Sequence, residues 1–127
     1  MKLFIEKETL VEDIKKIFVS CYPFLKIELY KKPFGDNYII KKQPLASGAG
    51  LAKFIHVPDK TTIDINNNIT VEGLENQFED IGLVAEVFRR SGKVWVETTL
   101  TNNWTLDQQN LEGEEMSLHF KEKKIQS

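Results

Sequence analysis

The chain has 127 residues, 41% hydrophobic and 28% charged, with 17 basic against 19 acidic side chains and a net charge of −2. That is the composition of one globular domain, and the charge balance sets nucleic acid and anionic membrane aside as main partners. A single cysteine, Cys21, excludes an internal disulfide, and no apolar run reaches bilayer length, so a cytoplasmic location is expected.

Residues 2–7, KLFIEK, alternate as a strand with Leu3 and Ile5 on one side and Phe4 and Glu6 on the other. Thr9 with Glu12 has capping-box spacing, so a helix is expected from Thr9, burying Leu10, Ile14, Ile17, Phe18 and Cys21. Pro23 ends the helical region and residues 24–31, FLKIELYK, read as a second strand with Leu25, Ile27 and Leu29 on one face.

Residues 33–60 are longer than a plain connection. Tyr38, Ile39 and Ile40, then Leu51, Phe54, Ile55 and Val57, are each able to form a short strand or covering flap around the glycine-rich stretch 45–50. Backbone amides near Gly48 and Gly50, with Lys41, Lys42, Lys53 and, from the sheet, Arg90, are the candidate ligand-binding set. No Walker or dinucleotide spacing accompanies them.

Residues 61–66, TTIDIN, form a third strand. Thr70 is placed as an N-cap, Ile69 and Leu74 as a hydrophobic staple, and Val71, Leu74, Phe78 and Ile81 as a buried stripe. Gly82 falls where a helix needs a left-handed residue, and LVAEVFRR follows as the fourth strand. Aligned with the first half, IKKIF matches LENQF and FLKIELYKK matches GLVAEVFRR. The chain is thus read as a βαβ unit used twice. The fold expected from it is α+β, a ferredoxin-like split βαβ sandwich with both helices on one side of an antiparallel sheet.

Ser91-Gly92 as a two-residue loop would pair Phe88 with Trp95 and Glu86 with Glu97 in a fifth strand. Leu83, Ala85, Val87, Val94 and Val96 then face the helices, leaving Phe88, Arg90, Trp95 and the glutamates on the far side. In ferredoxin-like order Phe4 joins Phe88 and Trp95 in one aromatic patch, with Tyr30 towards the opposite edge. Glu86 and Glu97, with Glu6 and Glu28 on the same face, are the candidate acid and base pair of a hydrolase, neutralised in the simpler reading by Lys26, Arg90 and Lys93. Further on, Thr105 and Gln108 have capping-box spacing, Gly113 is placed as the stop of a short helix, and Trp104 is expected to anchor that segment. Met116, Leu118 and Phe120 alternate as a terminal strand or arm before a frayed tail, 121–127.

His56 and His119 lie in no metal-ligating spacing, Cys21 sits on an apolar stripe, and no Gly-x-Ser-x-Gly elbow is present. No metal, cofactor or catalytic residue is therefore expected in this single domain, 1–127. The leading expectation is a non-enzymatic protein that binds itself or another protein through Phe4, Tyr30, Phe88, Trp95 and Trp104. A small-ligand sensor with 33–60 as its lid is the alternative, and a glutamate-based hydrolase the third.

Overall fold

The structure, a computed structural model, describes residues 1–32, 43–55 and 60–126, with side chains as far as 118. In chain order these form β1 (Lys2–Glu6), α1 (Val11–Cys21), β2 (Leu25–Lys31), β3 (Lys60–Asp64), α2 (Val71–Asp80), β4 (Leu83–Ser91), β5 (Val94–Glu97) and α3 (Leu106–Gln126). The fold is α+β with two antiparallel sheets, β1–β3 and β2–β4–β5.

Alternation places the core. Leu3 and Ile5 of β1, Leu25, Ile27 and Leu29 of β2, Ile63 of β3, and Leu83, Ala85 and Val87 of β4 are all buried. They meet Val11, Ile14 and Phe18 of α1 and Val71, Leu74 and Phe78 of α2 in one cluster. The stripe on α1 is turned slightly from the expected one, with Val11 buried and Ile17 exposed.

The ferredoxin-like strand order is not the one observed. That order needs β4 beside β1 and β3 beside β2; here β1 keeps its expected neighbour β3, but β2 pairs with β4. Each strand lies against its own counterpart in the other half: Leu3 faces Ile63, and Glu28 faces Glu86. Both arrangements bury the same faces, and the observed one gives the repeat a pseudo-two-fold relation.

The relation extends to the helix starts. Beyond β2 the chain returns to the first turn of α1, where the amides of Val11 and Glu12 donate to the carbonyls of Ala49 and Ser47 (both 2.9 Å). Beyond β5 it returns likewise to α2, where Val71 and Glu72 donate to Trp104 (3.0 Å) and Asn102 (2.8 Å). Amides that a helix leaves without an internal partner are thus satisfied by backbone in both halves. After these contacts Leu51 opens a 3-10 turn, Leu51–Lys53, and Leu106 opens α3.

Side-chain caps are local. The Thr70 hydroxyl accepts from the Gly73 amide (3.0 Å), as its position predicts. Thr9 caps no helix: its hydroxyl accepts from Glu6 (2.9 Å), α1 starts two residues later, and Asp13, not Glu12, reaches back to the Leu10 amide (3.0 Å). Gly82 has φ 95 and donates to the Glu79 carbonyl (3.0 Å), the left-handed end expected of α2.

Gly113 does not end α3, and residues 116–120 form no strand. A Cβ on Gly113 would lie 2.9 Å from Cβ of Phe24 and 3.1 Å from both Cγ of Arg89 and the Phe24 carbonyl. The glycine permits close packing of α3 on β2 and β4. Thr105 and Gln108 cap its start reciprocally, the Thr105 amide donating to Oε1 (2.8 Å) and the Gln108 amide to Oγ1 (3.1 Å). Buried Gln109 accepts from Nη1 of Arg89 (2.8 Å) and donates to the Thr101 carbonyl (2.8 Å).

Candidate functional site

The outer face of β2–β4–β5 is built by the residues alternating with the core set. Lys26 lies opposite Phe88, Glu28 opposite Glu86 and Tyr30 opposite Val84. Across the hairpin the loop is Gly92-Lys93 rather than Ser91-Gly92, so Arg90 pairs with Trp95 and Phe88 with Glu97. Gly92 has φ 65 and Lys93 a negative φ, the pattern of a II′ turn with glycine first. Moving the turn one residue along changes each partner by two positions, which leaves every side chain on its expected face.

Rings and cations alternate on this face. Nζ of Lys26 stands 5.1 Å from the Phe88 ring centre and 5.3 Å from that of Trp95. The Arg90 guanidinium carbon lies 5.9 Å from the Trp95 ring, and its Nε donates to the Gly92 carbonyl (2.9 Å). Each such contact is worth roughly 0.5–1 kcal/mol where water has access. Trp95 keeps 38% of its surface exposed. Val94, expected inside, is 58% exposed because it stands at the hairpin tip, past the packed helices.

The acidic end of the face is already engaged. Glu28 accepts from Nζ of Lys15 (2.9 Å), and the Tyr30 hydroxyl bonds to the Glu86 carboxylate. Burial, with that bond and the neighbouring carboxylates, raises the Tyr30 ionisation far above the ordinary tyrosine value. Glu86 and Glu97, expected opposite one another, are not paired in register. Among the described residues no group of three or more His, Cys, Asp or Glu is arranged to hold a metal ion.

Several expected site residues stand elsewhere. Phe4 is 72% exposed but on the β1–β3 sheet opposite Thr62, apart from Phe88 and Trp95, because β1 does not flank β4. Tyr30 is buried. Trp104 packs beneath Arg89, its ring centre 5.5 Å from the guanidinium carbon, and its carbonyl serves α2, so it anchors its segment. Gly48 and Gly50 belong to the stretch whose carbonyls, at Ser47 and Ala49, meet the α1 amides. Arg90 is tied to the hairpin; Lys41 and Lys42, like Tyr38, Ile39, Ile40, His56 and Val57, lie outside the described residues.

Sequence reasoning passed over Lys26 as a member of the aromatic cluster. Its alternation with Leu25 and Ile27 puts it on the outer face, and only the β2–β4 pairing, which alternation does not reveal, brings it to the rings. No helix among the described residues is long and apolar enough to cross a membrane. No family model, no curated protein and no solved structure matches this chain.

Proposed function

We propose that the protein is a small non-enzymatic module that associates with itself through the β4–β5 side of its outer sheet face. The observation that carries this reading is the stack of Phe88, Lys26, Trp95 and Arg90, with Trp95 left partly exposed where a solvated sheet face normally carries small or charged groups. The engagement of Glu28 by Lys15 and of Glu86 by Tyr30 supports a structural rather than a catalytic use of the carboxylates.

Sedimentation equilibrium of the intact chain over micromolar to millimolar concentration tests it. The wild type should associate, and Phe88→Ala with Trp95→Ala should shift the population towards monomer while the unfolded fraction by circular dichroism stays negligible. A chain that remains monomeric throughout, or that loses only stability on these changes, refutes it.

A further inference from the structure

We propose that two copies pair edge to edge along β5, antiparallel and about a two-fold axis through Trp95, joining their three-stranded sheets into one. The inference rests on the self-association reading above and names the contact. β5 closes one side of its sheet, and among the described residues its only strand partner is β4. The opposite side, at β2, is met by the returning chain, where the Leu45 amide donates to the Leu29 carbonyl (2.8 Å).

The direction of the free backbone groups follows from one bond. The Arg90 amide donates to the carbonyl of Phe24, the residue just before β2 (2.9 Å), so it points away from β5. Arg90 and Trp95 are therefore a non-hydrogen-bonded pair in the β4–β5 ladder, and the N–H and C=O of Trp95 point outward from the sheet edge. Two such edges meeting antiparallel at Trp95 exchange both hydrogen bonds between the two Trp95 residues.

The side chains read the same way in either direction. In Lys93-Val94-Trp95-Val96-Glu97, a two-fold axis at Trp95 sets Lys93 against Glu97 of the second copy and Val94 against Val96. Charge meets opposite charge at both ends, Lys93 of the turn leading into β5 against Glu97 of the strand, and valine meets valine on the inner face. Parallel pairing would set lysine on lysine and glutamate on glutamate. Charged residues on an edge strand ordinarily prevent pairing between copies; this order of charges favours one pairing only. The contact is isologous, so it closes at a dimer. A strand of four residues makes a small interface, and the dimer should be weak.

Charge reversal tests this on the intact chain by sedimentation equilibrium. Lys93→Glu and Glu97→Lys should each weaken the dimer by about tenfold, since each places like charges at both ends. An equimolar mixture of the two variants should recover wild-type association, because each then meets its complement. Hydrogen exchange gives a second measure: the Trp95 amide should slow as wild-type protein is concentrated. Association that ignores both reversals but is lost in Phe88→Ala overturns the edge contact and leaves the self-association reading standing. Monomeric wild type overturns both. Failure of the mixture to recover, or a Trp95 amide insensitive to concentration, overturns the edge contact alone.

Discussion

At Gly113 two effects of a methyl group oppose each other. Alanine favours an α-helix over glycine by about 1 kcal/mol. Overpacking a close contact costs about 1–3 kcal/mol. Here the neighbours include the Phe24 carbonyl, a backbone atom that leads into β2 and is held by the Arg90 amide, so it cannot move without the sheet. The steric cost wins, and Gly113→Ala should destabilise the protein by about 1–2 kcal/mol in urea unfolding. The phenol of Tyr22 gives a pH signature. Its hydroxyl donates to the carbonyl of buried Ile65 and lies 3.1 Å from Oδ1 of Asn67. Burial first, then nearby negative charge, raises its ionisation from 10.0 to about 12. Between those values the unfolded chain has lost the proton that the folded chain keeps, so stability is whole below pH 10 and falls as pH rises towards 12. Urea titrations across this window should show that fall, and Tyr22→Phe should flatten it in part, Tyr30 supplying a further share in the same direction.

Helix starts carry the next prediction. Thr70→Ala removes the hydroxyl that accepts from Gly73 and should cost about 1 kcal/mol by thermal unfolding. The helix should persist in circular dichroism because Val71 and Glu72 keep their backbone partners. The ends of α2 were legible because their signals are local: Thr70 before the stripe and Gly82 after it. The length of α3 was not, since a glycine that stops a helix and one that lets it touch a strand are the same letter. Strand neighbours were equally hidden. Alternation identifies which face of a strand is buried, but not which strand lies beside it, so it puts Phe88 and Trp95 on the face they occupy and yet groups with them Phe4, which stands on the other sheet. Register failed softly, because Gly92 suits the first position of the turn as well as the second.

The whole molecule is held by pairings that cross its midpoint. β1 has its partner in β3 and β2 has its partner in β4, so neither strand of the first half pairs within that half. Residues 1–55 and 60–127, made separately, should each show little native structure, since an isolated strand cannot satisfy its backbone or bury its face. Mixed, they should recover the circular dichroism of the intact chain; independent folding of 1–55 as a monomer would contradict the pairing. The helices, by contrast, are each completed from within their own half. A polypeptide of half this length could keep its strands only by meeting a twin; the present chain carries both partners on one thread, so its assembly does not depend on concentration.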